Sequence, residues 1–243
     1  MNARALFFAM LPLGLASSVA LATTAGCLVS FDGYYLGDAG PDAGSEATSD
    51  EAAAPDGGDA PPTPCAPACV ADQVCLHGGC VPGRFVFVSS RQWNAALGGV
   101  LGAVPLCQSL ADDALLPGVF APWLSDADFW PAAWVTHPTV PYYLVDGTKV
   151  AADWADLTDG ALLHAIDTTE RGVALAASDG VVWTNTQTDG TAIAAAACVG
   201  FTSSAGADTP ATVGSAVETG GGWTAGVLQQ CDLATAHLYC FQQ

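Results

Sequence analysis

The sequence predicts an α+β fold with long connecting loops, and three observations carry that expectation. Short β-type runs stand at both ends of the region 84–243, Phe85-Val86-Phe87-Val88 and Leu238-Tyr239-Cys240-Phe241, so the two ends are expected to pair as neighbouring strands. One helical period is clear between them. Leu106, Leu110 and Ala114 recur at four-residue spacing beside Ala103, Cys107 and Ala111, with Asp112 and Asp113 turned outward; this predicts a helix over 103–115, stopped by Pro117-Gly118. Elsewhere the regular runs are brief, such as Val181-Val182-Trp183-Thr184, and Gly, Ala, Asp and Thr fill the stretches between them.

Taken in order, the chain opens with Arg4 followed by an apolar stretch through Leu6, Phe7, Phe8, Leu11, Leu13, Leu15, Val19 and Leu21, closed by Thr24-Ala25-Gly26-Cys27. A basic residue, an apolar region, small residues and then a cysteine resemble the signal of a bacterial lipoprotein. Thr24 stands where that signal usually carries Leu. The resemblance implies that 1–26 is a signal peptide cut before Cys27, whose thiol takes a diacylglycerol, with further acylation such as palmitate. Two or three acyl chains, each contributing about 0.8 kcal/mol per buried methylene, hold a bilayer far more firmly than one chain. The membrane, through lipid on Cys27, is thus an expected partner, and the expected place is the cell envelope at the outer-membrane surface.

The segment 27–64 is rich in Ala, Gly, Pro, Ser, Thr and Asp, with acids and no base, and reads as a disordered acidic linker. A flexible chain of that length spans roughly 30 to 35 Å, and like-charge repulsion extends it further. Beyond Cys27 only Arg84, Arg91, Lys149 and Arg171 stand against all 24 acidic residues. Nucleic acid and other polyanions are excluded as partners on this balance, because binding them needs clustered Lys and Arg. A glycan or a protein at the cell surface remains as the expected ligand.

Setting Cys27 aside, the nine cysteines leave an even number, in a chain whose signal directs it out of the cytoplasm; disulfides are the expected state. They form two groups, Cys65, Cys69, Cys75, Cys80 and Cys107, Cys198, Cys231, Cys240, and each group is expected to pair within itself. The first group marks a small cysteine-rich module over 65–83, too short to bury a core of its own, with Gly78 and Gly79 supplying a tight turn and His77 in that turn. Zinc is the rival there, but the spacing lacks the paired Cys-x-x-Cys knuckles of ribbon sites.

The region 84–243 carries a more specific resemblance. Leu97-Gly98-Gly99-Val100-Leu101-Gly102-Ala103, Leu106-Cys107-Gln108 and Leu116-Pro117-Gly118-Val119-Phe120-Ala121-Pro122-Trp123-Leu124-Ser125 resemble the opening of endostatin-like domains of the C-type-lectin-like fold. Val145-Asp146-Gly147-Thr148-Lys149-Val150, Cys198-Val199-Gly200-Phe201-Thr202, Trp223, Cys231 and the terminal strand follow in the same order. The resemblance implies a nested pairing, Cys107 with Cys240 and Cys198 with Cys231. It also implies buried roles for Trp183 and Trp223. The calcium and sugar motifs of lectins of this fold, Glu-Pro-Asn or Gln-Pro-Asp and Trp-Asn-Asp, do not occur; the segment before Cys231 reads Trp223-Thr224-Ala225-Gly226-Val227-Leu228-Gln229-Gln230. The basic and histidine features by which endostatin binds heparin and zinc are missing as well.

Candidate chemistry is correspondingly sparse. Asp153, Asp156 and Asp159 recur at three-residue spacing and Asp126 and Asp128 alternate, so each set offers hard oxygens to calcium without matching an EF-hand loop. His77, His137, His164 and His237 never stand at His-x-x-x-His spacing, and no serine lies in Gly-x-Ser-x-Gly. No cofactor, metal or catalytic residue is therefore expected. Trp130 and Trp134, in a Pro-containing stretch, are the candidates for a ligand surface, since an aromatic face suits sugar C–H groups. The expected function is a lipid-anchored, non-catalytic binding or envelope-structural head. A calcium-dependent carbohydrate-binding lectin and an extracytoplasmic enzyme on the same fold are the alternatives.

Overall fold

The structure, a computed structural model, describes residues 65–194, 196–232 and 235–243. The expected signal peptide over 1–26, Cys27 and the expected linker lie outside the described residues. The chain begins with a hairpin of β1 (Gln73–Leu76) and β2 (Gly79–Pro82), then β3 (Arg84–Val88) and helix α1 (Gly99–Asp113). Next come β4 (Phe120–Pro122), the short helix α2 (Pro131–Trp134), β5 (Tyr142–Tyr143), β6 (Lys149–Ala151) and the one-turn helix α3 (Trp154–Leu157). Strands β7 (Val181–Trp183), β8 (Ala211–Ser215), β9 (Val227–Gln229) and β10 (Tyr239–Gln242) complete the chain. The fold is α+β, mostly sheet with few helices, and stapled by disulfides.

A five-stranded sheet in the order β4-β10-β3-β5-β6 forms the centre. The terminal strands β3 and β10 pair antiparallel, with Cys240 opposite Phe87, and β4 flanks β10 on its other side. Pro122 is tolerated because β4 is an edge strand, where a missing N–H leaves no neighbour unpaired. The run Phe85-Val86-Phe87-Val88 has no polar alternation because both faces of β3 are covered. Phe85 and Phe87 join one core cluster with α1, and Val86 and Val88 join the other with Trp123, Trp223 and Tyr239. Each fully buried side chain of this size contributes on the order of 2 kcal/mol. A second sheet, β7-β8-β9, is tied to the first where Trp183 donates its N–H to His237 O and His237 returns its N–H to Val181 O.

Helix α1 starts four residues earlier than its apolar period indicates. Gly98 and Gly99 both take positive φ, 82° and 78°, a conformation glycine adopts without steric cost, and the Asp126 carboxylate accepts the Val100 N–H. The glycines lead into the helix instead of marking a loop before it. Pro105 removes one rung inside it, and the last residues of the expected span, 114–115, form the turn that leaves the helix, with Leu115 at φ 58°.

In the hairpin, Leu76 pairs with Gly79, so the two central turn residues are His77 and Gly78, both at positive φ, as a primed two-residue turn requires. Gly79 belongs to the strand; the expected Gly78-Gly79 turn is shifted by one residue. Cys65 bonds Cys75 and Cys69 bonds Cys80. Cys75 and Cys80 face one another across the hairpin, and each reaches back to fasten the incoming segment. This module packs onto the larger body. Val74 is fully buried in the core cluster of α1, Leu76 and Val81 pack beside it, and Gly83 donates its N–H to Asp72 O.

The other pair of bridges joins α1 to β10 through Cys107–Cys240 and closes Cys198–Cys231. Around Cys198 the backbone makes a single turn, Cys198–Phe201, with φ of 46°, 54°, 66° and 59°. Left-handed turns of L-residues cost roughly 1 to 2 kcal/mol per residue. Cys198 is held by its disulfide and by Thr209 O, Phe201 is fully buried against Trp183, and Val199 is held by backbone hydrogen bonds alone, to Ala196 O and from the Thr202 hydroxyl.

Candidate functional site

Trp130 and Trp134 are both half-buried. Trp134 packs against the core beside Phe129, ring centroids 6.0 Å apart, and its indole nitrogen is enclosed without a partner. Trp183 and Trp223 are fully buried. Four of the five aspartates considered as calcium ligands are engaged by backbone, Asp126 through the N–H groups of Val100, Asp128 and Phe129. Asp153 caps α3 by accepting the Asp156 N–H, Asp156 accepts the Ala152 N–H, and Asp159 accepts the Ala161 N–H. Among the described residues, no three carboxylates converge as a metal site would need; the one convergent group is the sulfurs of Cys65, Cys69 and Cys80, all already bonded in disulfides.

Two of the surface cavities bear on a binding role. A polar one of about 270 Å³ lies where the cysteine-rich module meets the body, lined by Asp72, Arg84, Thr136, His137 and Thr139. The Arg84 side chain is 14 % exposed and pairs with Asp72, so its charge is neutralised before any ligand arrives. His137 lies flat on Trp154, centroids 3.9 Å apart, and Trp154 in turn packs on the buried Trp123.

The second cavity, about 470 Å³ and mostly apolar, lies between the start of α1, the loop after β4 and the left-handed turn. Leu101, Phe129 and Val199 line it together with Asp126 and Asp128. A Cβ on Gly99 would stand 3.5 Å from both Asp126 Oδ2 and Gly200 O, so the three segments meet closely at its floor. The Asp126 carboxylate is occupied by the N–H groups of Val100, Asp128 and Phe129. The reading of the sequence did not single out Leu101, Phe129 or Val199. Leu101 carried a signal all the same: it is apolar but out of phase with the buried stripe Val100, Ala103, Cys107, Leu110 and Ala111.

The buried Glu170 and His237 are engaged structurally. Glu170, its side chain fully enclosed, accepts from both the N–H and the hydroxyl of Ser90. His237 sets Nδ1 against Ser89 O, which can only accept, so that nitrogen carries the proton and Nε2 accepts from the Gln92 amide. With both ring nitrogens taken, His237 does not activate Ser90. Burial pushes the phenols of Tyr142 and Tyr239 well above their ordinary value. At Asp189, hydrogen bonds from the Thr191 hydroxyl and N–H hold the carboxyl below the usual range; this is an exposed turn. Among the described residues no helix is long and apolar enough to cross a membrane. No family model matches the chain, and no curated protein matches it.

Proposed function

We propose that this chain is a lipid-tethered protein of the cell envelope, anchored at Cys27, whose acidic linker holds a non-catalytic binding head of the C-type-lectin-like class away from the membrane. The observation that carries the reading is the complete disulfide pairing of the described cysteines, the chemistry of an oxidising compartment. The nested bridges, the antiparallel pairing of the terminal strands and the separate three-stranded sheet support the lectin-like assignment. A binding role is favoured over catalysis because the buried Glu170 is engaged by Ser90 and the buried His237 by Gln92 and the Ser89 carbonyl, and none of these lines either cavity. Metabolic labelling with a fatty-acid analogue tests the tether: label is expected on the wild-type chain and lost in Cys27→Ser, with the variant released from membranes. Undiminished labelling of Cys27→Ser would refute it.

A further inference from the structure

We propose that the apolar cavity beside the left-handed turn docks a segment of a partner protein that presents one aliphatic or aromatic side chain flanked by lysine or arginine. The proposal rests on the reading of the head as a binding module and assigns the surface and the ligand chemistry.

The apolar residues of this cavity are arranged in a way that folding does not explain. Leu101 is 57 % and Val199 56 % exposed, and both face the same opening as the half-buried Phe129. Val199 is a β-branched residue at φ 54° and ψ 47°, a conformation that glycine or asparagine would adopt more easily. Its neighbours in the turn are compensated by a disulfide and by burial; Val199 has neither, and only its backbone is engaged, donating to Ala196 O and accepting from the Thr202 hydroxyl. Strain retained where it contributes nothing to the core is characteristic of surfaces shaped for a ligand. Glycines at 98, 99 and 200 leave the floor open, and a volume of about 470 Å³ lies within the range of small-ligand sites.

Charge selects the occupant. The exposed Asp128 stands at the rim, Asp126 is bound into the floor by three N–H groups, and no Lys, Arg or His lines the cavity. The cations of the described residues are engaged elsewhere: Arg84 with Asp72, Arg91 with Asp113, Arg171 with Glu170, and Lys149 over the Tyr143 ring. The Asp128 carboxylate makes no hydrogen bond or ion pair among the described residues, so it is free to accept from a ligand cation. A second copy of this acidic chain would bring like charge to the rim, and an anionic membrane surface would be repelled. A cationic segment with an apolar anchor satisfies both the cavity and its rim.

The test uses the ¹⁵N-labelled full chain with disulfides intact, titrated with three capped synthetic peptides whose cores read Lys-Leu-Lys, Glu-Leu-Glu and Lys-Ser-Lys. The Lys-Leu-Lys peptide is expected to shift the amide signals of Leu101, Phe129 and Val199 and to bind more weakly as salt is raised; the other two are expected to leave those signals unmoved. Leu101→Ser should weaken binding about fivefold through lost apolar contact, and Asp128→Asn about threefold through loss of a surface ion pair. Val199→Gly separates binding from folding: it relieves the strained turn, so its melting temperature should hold or rise, while affinity falls. Leu115→Ser, at a residue 90 % exposed and outside the cavity, should bind as wild type. The proposal is overturned by absence of shifts with the Lys-Leu-Lys peptide at millimolar concentration, by equal shifts with either control peptide, or by undiminished binding in Val199→Gly. Shifts at these amides on concentrating the chain alone would also overturn it, in favour of a second copy. Fatty-acid labelling of the same preparation reports on the Cys27 tether separately, so failure of one reading is distinguishable from failure of the other.

Discussion

Removing the Cys107–Cys240 bridge as Cys107→Ala/Cys240→Ala should destabilise the body more than removing Cys198–Cys231 in the same manner. The two bridges close sequence separations of 133 and 33 residues. The chain-entropy relation then gives about 5 and about 3.7 kcal/mol at 25 °C for the two closures. The difference depends only on the logarithm of the ratio of loop lengths, is about 1.2 kcal/mol, and is independent of the constant in the relation. The contact side of the comparison is matched, because all four cysteines are fully buried and alanine removes the same sulfurs in each variant. The topology adds to the argument. Cys107 fastens α1 to the strand that lies between β3 and β4, so its loss frees the helix and both chain ends together. Urea unfolding followed by tryptophan fluorescence measures the two losses, since Trp123, Trp183 and Trp223 report from the interior. Against a total stability of about 5 to 15 kcal/mol for an ordinary domain, the Cys107/Cys240 variant should unfold at much lower urea. An equal or larger loss in the Cys198/Cys231 variant would refute the reasoning, by showing that native packing and not loop closure sets the contribution of these bridges.

Four further outcomes are expected. Burial, offset in part by Arg84 at Tyr142 and reinforced by Glu218 and Asp167 at Tyr239, keeps both phenols protonated to high pH in the folded state. The unfolded chain releases those protons near pH 10, so stability is full below about pH 10 and falls above it by about 1.4 kcal/mol per pH unit for each phenol; urea midpoints that stay constant from about pH 9 to about pH 11 would contradict this. Tyr239→Phe, which deletes the hydrogen bond donated to Trp223 O at 3.0 Å, should cost about 1 kcal/mol at neutral pH and reduce the alkaline loss. Glu170→Ala removes a buried carboxylate that accepts twice from Ser90 and should cost about 2 to 4 kcal/mol in urea unfolding; a neutral effect would show that Ser90 finds water instead. Millimolar calcium and excess chelator should give the same melting temperature, because Asp153, Asp156 and Asp159 already accept from backbone N–H groups; a large rise with calcium would restore the calcium-lectin alternative.

The sequence by itself determined the features that rest on local pattern. The apolar runs at 85–88 and 238–241 mark terminal strands, the four-residue period marks α1, and the cysteines fall into two groups that each pair within themselves, all of which depend on a few neighbouring residues. The expectation of no nucleic-acid partner likewise rests on charge balance, which needs no structure. Only the tertiary structure decided which residues face an opening. Trp134 reads as a surface aromatic from its Pro-containing surroundings but packs beside Phe129. Asp153 and Asp156 read as possible ion ligands; Asp153 caps a one-turn helix and Asp156, within it, accepts the Ala152 N–H. Leu101, Phe129 and Val199 are far apart in sequence and meet only because Gly98 and Gly99 set the start of α1 and Cys198–Cys231 holds a left-handed turn against it. Periodicity records whether a side chain is buried by its own element; it carries no information on the cavity formed where three separate segments converge, because that depends on backbone angles and long-range closure that no local window contains.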